Sequence, residues 1–354
     1  MIINQKIRIK IFENFNEELL FLWKDLEKDS LNTCFQSYKY IEQYIKYFNK
    51  KNIQTKILSI QLNDKLIAIF PLEIKFYFGL KILRWIGTQH FDYCGPILSK
   101  KIFFDRDLFF KVWSECLKSI GSVDLILLNK QLDFIENAKN PFFEFLKNFN
   151  FSKIYLIKLP NQYENYIFNF KNKKFLAEFL RTKRKVGENY NILFKQINIT
   201  NKDLTVADII NKKIDYLNKK KLKNNFILKN INFFNDVRTK YPELINLHAL
   251  FIDNKLVAAN LGINYKKNFY YLVPVIFLEQ FNKFSPGKLL LNFLIHFAII
   301  NKFYKFDFGY GNENYKKYWS NEFINISTYI YYKTIKGFLI YYFIKTYLFF
   351  KNIK

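Results

Sequence analysis

Between Phe269 and Trp319 the hydrophobic pattern changes character twice. Phe269–Phe277 is a run of aromatic and aliphatic residues of strand length. A loop follows and closes with Ser285-Pro286-Gly287. Lys288–Asn301 is a long apolar segment, and Phe303–Phe308 returns to strand character. Length and flanks predict strand, helix, strand. Pro286 suits a helix start, where its missing N–H costs nothing. Ser285 is the expected N-cap, its hydroxyl accepting from a free N–H of the first turn. A helix start beside a strand end gathers unpaired amides and the positive end of the dipole, which makes an anion site. Gly287, with no side chain, leaves the backbone open to a bulky ligand. An ordinary βαβ unit that binds nothing has the same pattern.

The rest of the chain gives a repeat. Residues 1–12 read as a strand. Glu17–Lys28 reads as a helix with Leu19, Leu20, Trp23 and Leu26 on one face, and Ser37–Asn49 as a second. Ser59–Leu72 (SIQLNDKLIAIFPL) and Ala249–Gly262 (ALFIDNKLVAANLG) align without gaps 190 residues apart. Both contain an apolar strand, an Asn/Asp pair, then Lys-Leu, Ile or Val, and Ala. Asn63-Asp64 and Asp253-Asn254 suit tight hairpins, because Asn and Asp tolerate positive φ. Lys81–Gly87, Asp107–Ile120 and Val123–Leu128 then repeat as Phe269–Phe277, Lys288–Asn301 and Phe303–Phe308. The matching order predicts a duplicated α/β unit. Pro141–Asn148 reads as a short helix, and Pro160 with Asn161-Gln162 as a boundary. The expected division is 1–158, 159–336, and an apolar, basic tail helix, 337–354. Tyr163–Leu180 reads as a helix leading into Arg181-Thr182-Lys183-Arg184-Lys185, and a second cationic tract spans Lys212–Lys223. The tail suits packing on the fold, with peripheral membrane contact as the other option.

Composition narrows the classes. The chain has 354 residues, of which 50% are hydrophobic, enough for a sizeable core in each half. The net charge of +26 favours anionic partners. Yet the cation is nearly always Lys, with Arg only at Arg8, Arg84, Arg106, Arg181, Arg184 and Arg238. Dedicated phosphate readers lean on Arg, so the charge is not taken as a sign of DNA or RNA binding. Cys34, Cys94 and Cys116 are odd in number and scattered, and His90, His248 and His296 are dispersed. Neither a disulfide framework nor a metal site is expected. The N-terminus lacks the apolar core of a signal peptide, and no run reaches the roughly 18 apolar residues of a membrane span. A soluble, cytoplasmic protein is the expectation.

Four motifs carry a resemblance. They are Asp92-Tyr93-Cys94-Gly95-Pro96, Leu180–Arg184 with Asn189, Ser285-Pro286-Gly287-x-Leu289-Leu290, and Phe306-Asp307-Phe308-Gly309-x-Gly311-x-Glu313-x-Tyr315-Lys316. In this order the chain resembles the GNAT acyltransferase fold. More closely, it is similar to the double-GNAT family typified by the cellulose-biosynthesis proteins CelD and BcsL, related in turn to the Fem peptidyltransferases. The fold implied is α/β (α+β): two tandem GNAT-like units with mixed, largely antiparallel sheets flanked by helices. One departure is Leu278, where the family often has Asp.

The resemblance implies an acyl-CoA donor such as acetyl-CoA and no metal. The pyrophosphate would lie against the turn of Phe284, Ser285, Pro286, Gly287, Lys288 and Leu289, on the amides around it other than that of Pro286, which has no N–H, and the pantetheine arm along Tyr271, Val273 and Val275. No Ser/His/Asp or Cys/His set is present, which suits direct transfer. Glu313 and Asp307 are the candidate bases and Tyr315 the candidate acid; structural hydrogen bonding is the competing role for Asp307. Lys316 either holds an anionic substrate group or pairs with Glu313. Asp92, Tyr93 and Arg184 are candidates for the acceptor side. The implied function is N-acyl transfer to an amine, such as an amino sugar in surface-polysaccharide or lipid biosynthesis. A Fem-like transferase using aminoacyl-tRNA and a non-catalytic scaffold are the alternatives.

Overall fold

The computed structural model describes residues 6–200, 203–222 and 228–353. In the first half the elements are β1 (Ile7–Phe12), α1 (Glu17–Glu27), β2 (Ser30–Leu31), α2 (Tyr38–Phe48), β3 (Ile53–Leu62), β4 (Lys65–Tyr77), β5 (Leu80–Trp85), β6 (Ile97–Ser99), α3 (Arg106–Ile120) and β7 (Leu125–Leu132). A small hairpin of β8 (Phe134–Ile135) and β9 (Ala138–Lys139), then α4 (Pro141–Phe145) and β10 (Asn148–Lys158), complete it. The second half has α5 (Tyr163–Phe168), α6 (Lys173–Asn189), β11 (Ile192–Ile197), α7 (Val206–Lys219), α8 (Leu228–Lys240), β12 (Ile245–Ile252), β13 (Lys255–Tyr265) and β14 (Asn268–Ile276). It ends with α9 (Pro286–Ile300), β15 (Lys305–Asp307), α10 (Asn314–Trp319), β16 (Glu322–Tyr332) and α11 (Ile335–Ile353).

The chain forms two compact units. Unit 1 holds Met1–Lys153 with Ile324–Lys354, and unit 2 holds Ile154–Phe323. In unit 1 the strands run β1-β3-β4-β5-β7-β16, with β6 pairing the outer part of β4. In unit 2 they run β11-β12-β13-β14-β15-β10. The order is the same: four antiparallel strands, a parallel neighbour reached through a helix, then an antiparallel sixth strand. That sixth strand comes in each case from the sequence half that builds the other unit. The end of the second sequence half, residues 324–332, therefore belongs with unit 1.

The repeat extends to single residues. Asn63 and Asp64 have φ of 49° and 63°, and Asp253 and Asn254 have 48° and 61°. These are the left-handed conformations of a tight two-residue hairpin. Each hairpin is flanked by a register shift at the equivalent place, between Ile60 and Gln61 and between Leu250 and Phe251 on the first strands, which leaves Ile67 and Val257 as the extra residues on the second. The next hairpins, at Phe78-Gly79 and Lys266-Lys267, again have positive φ. The fold is thus α/β with two GNAT-like units, as expected. Local helix boundaries differ in places: 163–180 is broken at 169–172 into α5 and α6, α6 runs on through the basic tract to Asn189, and the helix expected over 141–148 ends at Phe145. Asn172 begins a new helix there, its side chain accepting from the Phe175 amide.

Each unit has its own core. In unit 1, Trp23, Phe70, Trp85, Phe109 and Phe142 are fully buried, and Phe142 meets Phe70, Trp85, Phe109 and Trp113 edge-on at about 5 Å. One charged pair is buried beside this core. Glu73 and Arg84 face each other across β4 and β5, with the guanidinium Nη2 2.6 Å from the carboxylate. In unit 2, α9 presents Leu289, Leu290, Leu294, Ile295 and Ala298 to Phe269 and Phe306 on the sheet. At roughly 1.5–3 kcal/mol per buried large side chain, this face holds α9 on the sheet.

Candidate active site

The site of interest lies where β14 and β15 part. They pair in parallel only over Asn268–Tyr270 against Lys305–Asp307, while β14 runs on to Ile276. Among the described residues no strand pairs with the β15-side edge of β14 from Tyr271 onward. A register shift between Leu261 and Gly262 adds Leu272 as a bulge there. Pro274 sits opposite Asn260, out of step with the bonded pair in which the Phe277 amide donates to Val257. Its missing N–H therefore falls on the open edge, where a proline is tolerated.

The start of α9 lies at the far end of that edge. Ser285 has φ 51° and ψ 60° and makes no side-chain cap hydrogen bond. This corrects the expected role of its hydroxyl: a left-handed Ser285 turns its side chain away from the first turn, so that turn has no side-chain cap. The same residue closes a 3-10 turn, Glu279–Phe284. A Cβ built on Gly287 would meet only the Ile276 Cδ1 atom, at 3.6 Å. The fold itself therefore does not require glycine here. Val273, Val275 and Leu289 are buried, so only their backbones face the groove. Lys288 is exposed with its Nζ 5.0 Å from the Phe175 ring centre, and Phe284 packs against Tyr190.

The acid–base candidates cluster after β15. Asp307 is buried and accepts from the Gly309 amide at 2.8 Å, which shapes the turn. Lys316 is buried, and its Nζ donates to the Tyr310 carbonyl at 3.0 Å and pairs with Glu313 at 2.9 Å. Gly311 has φ 130°, and any Cβ there would collide with the Glu313 carboxylate, so glycine is required at this turn. Partial burial pushes the Glu313 carboxyl up, but the charge and hydrogen bond of Lys316 outweigh it and hold the group below the ordinary value. Burial, then the charge of Glu313, holds the Tyr315 phenol well above its ordinary value. Tyr271 shifts the same way, through burial and then Tyr315. Glu313 is thus a stable anion and Tyr315 a retained proton. Exchanging Lys316 for Met should cost about 1–3 kcal/mol, since two carbonyls and Glu313 lose their donor. A melting curve that does not move would reserve Lys316 for a ligand instead.

The remaining candidates fall elsewhere. Arg184 is exposed on α6, 3.6 Å from Glu188. Asp92 is half-buried in unit 1, and Tyr93 is buried there with its ring edge-on to Phe35. His248 is fully buried among Phe194, Phe269 and Phe297, and burial pushes it down to about 3. Three residues that are not among the candidate site residues lie near the site. Lys213 on α7 is close enough to lower Glu313, Tyr216 acts on Tyr315, and Lys183 on α6 donates to Asn292 of α9 at 3.0 Å. In the sequence Lys183 and Lys213 stand only as members of the two cationic tracts. A cavity of about 250 Å³ lies elsewhere in unit 2, lined by Pro160, Asn165, Phe170, Trp319 and Asn321. It contains none of the candidate residues. Its polar rim is used by the fold, since Asn321 exchanges hydrogen bonds with the Lys158 backbone at 2.9 and 3.0 Å.

Residues 179–317 match the sequence family described as Acetyltransferase (GNAT) domain, a span from α6 into α10. No curated protein matches the chain. Among solved structures, FemX is 10% identical with a TM-score of 0.54, over 92% of this chain and 95% of that one. L-PGS from Bacillus licheniformis is 9% identical with a TM-score of 0.52, over 93% and 96%. A conserved protein of unknown function from Bacteroides thetaiotaomicron is 9% identical with a TM-score of 0.55, over 92% and 100%. At such identities the likeness speaks to fold alone. The chain has a GNAT-type acyltransferase fold, and its GNAT domain match lies in unit 2.

Proposed function

We propose that this protein is an N-acyltransferase that takes an acyl group from acyl-CoA and gives it to an amine. An amino sugar in surface-polysaccharide or lipid biosynthesis is the acceptor class that the CelD/BcsL resemblance favours. The observation that carries the reading is the parting of β14 from β15 above an α9 start with no side-chain cap. The open edge fits the amide-rich pantetheine arm. The first turn of α9 offers a pyrophosphate the backbone at Gly287, while the Lys288 and Leu289 amides donate to the Ser285 carbonyl at 2.9 and 3.2 Å. The reaction forms an amide C–N bond and breaks the thioester C–S bond, so the amine must lose a proton and the thiolate must gain one. Glu313, ionised and beside Tyr315, receives the amine's proton. Tyr315 protonates the sulfur and is reprotonated from Glu313.

Glu313→Gln should lower kcat/KM by roughly 10²–10⁴-fold. Because the Glu313 carboxyl is held below its usual range, it is already ionised near neutrality. Any acid limb between about pH 6 and 8 is then that of the acceptor amine, and it should persist at the same position in the variant. An unchanged rate would leave Glu313 only the task of holding Lys316. Calorimetry with CoA tests the donor directly. Binding of aminoacyl-tRNA without CoA would favour the Fem-like alternative, and binding of neither would favour a scaffold.

A further inference from the structure

We infer that α11 is an interfacial helix that docks unit 1 onto an anionic lipid surface. Ile335, Phe338, Leu339, Tyr342 and Phe343 follow the i, i+3, i+4, i+7, i+8 spacing of one helix face. The middle of that face is bare, with Ile335 83% exposed, Leu339 64% and Phe343 70%, while Phe338 at its margin meets the Tyr332 ring. The opposite stripe is the one that packs. Gly337 is buried, and Ile340, Tyr341 and Ile344 are half-buried. A Cβ on Gly337 would collide with the Asp124 carbonyl oxygen, so the first turn lies directly on unit 1. Thr334 fixes it there, donating to the Asp124 carboxylate at 2.6 Å. The tyrosine ladder of β16 continues the contact, with Tyr332 against Phe338 and Tyr341. The helix is thus anchored with its apolar face turned outward.

Charge selects the occupant. At about 100° per residue, Lys336 and Lys345 fall on opposite flanks of the bare face. Long lysine stems can lie along apolar surface while the ammonium groups reach lipid phosphates. After Glu322 the chain contains no acidic residue, and the whole chain carries +26. A second copy seated on the same face would set these lysines against lysines, with no acid on the helix to meet them. Among the described residues no helix is long and apolar enough to cross a membrane. The helix therefore lies on the lipid surface rather than through it.

Sedimentation with vesicles tests this. Full-length protein should pellet with phosphatidylcholine vesicles containing added phosphatidylglycerol, and much less with phosphatidylcholine alone. Leu339→Gln with Phe343→Gln should lower the partition coefficient by at least roughly tenfold, given the apolar area lost. Lys336→Gln with Lys345→Gln should lower it on anionic vesicles only. Phe21→Gln, which removes an equally exposed ring from α1, should change nothing. Equal circular dichroism and melting of all variants keep folding out of the comparison. Failure of the wild type to bind anionic vesicles would overturn the inference. So would a dimer in solution that Leu339→Gln with Phe343→Gln dissolves, because a second copy would then cover the face.

Discussion

Replacing Gly287 with valine should weaken CoA binding roughly a hundredfold, about 2.7 kcal/mol, without unfolding the protein. The two halves of this result have separate causes. A Cβ at position 287 meets only Ile276 Cδ1 at 3.6 Å, an ordinary contact, so the fold has room for a side chain. A bound pyrophosphate would not have that room, since it must approach the amides of the same turn. Gly287→Ala sharpens the test. In a helix, alanine is favoured over glycine by about 1 kcal/mol, so this variant should melt higher while binding CoA less well. Opposite signs on one residue separate a ligand role from a structural one. If both variants bind CoA as the wild type does, the donor does not sit on this helix start. In unit 1 the corresponding helix, α3, is capped by Asp105, whose carboxylate accepts from the Leu108 amide at 2.8 Å. That negative charge should exclude a second pyrophosphate, so the expected stoichiometry is one CoA per chain.

The largest stability effect is expected at Arg84. Arg84→Met should cost about 3–5 kcal/mol, because it leaves the Glu73 carboxylate buried without its partner. Glu73→Met combined with Arg84→Met should recover most of that, since removing both charges leaves no stranded ion. The pH dependence carries a sign. Burial already pushes the Glu73 carboxyl above its ordinary value, with Arg84 holding it down in part. Without Arg84 the carboxyl rises further. A folded-state value above the unfolded one means that stability is fully present below the unfolded value and is lost as pH rises through the folded one. The Arg84→Met variant should therefore lie closest to wild type near pH 4 and fall away towards neutrality. Denaturant titrations at a series of pH values measure this. A penalty that shrinks with rising pH would refute the account.

Much of this architecture is legible in the residues. Strand and helix periods, the two Asn/Asp hairpins and Pro286 act over a few neighbours, and local physics settles them. The helix start at residues 285–287 belongs with these, because proline and glycine restrict or free the backbone wherever they stand. The capping role that the same signals predict for the Ser285 hydroxyl is not met. The residue's left-handed backbone is imposed by the 3-10 turn before it, and sequence spacing does not register that.

Other features needed distant partners. Glu313 and Lys316 are close in sequence, but only the fold buries Lys316 among the carbonyls of Gly309 and Tyr310 and so fixes Glu313 as an anion. The lysines of α6 and α7 look alike in sequence, and packing alone brings Lys183 to Asn292 and Lys213 towards Glu313. Glu73 and Arg84 meet only because two strands pair in one register. The exchange of sixth strands is invisible in the repeat, since both copies have the same pattern whichever unit they join. By itself the sequence determined the hairpins, the duplicated strand–helix–strand order and where α9 begins, because those rest on short-range backbone and side-chain preferences. Tertiary structure alone decided which strand completes each unit, which charges are buried and where β14 parts from β15, because those depend on contacts between residues far apart in the chain.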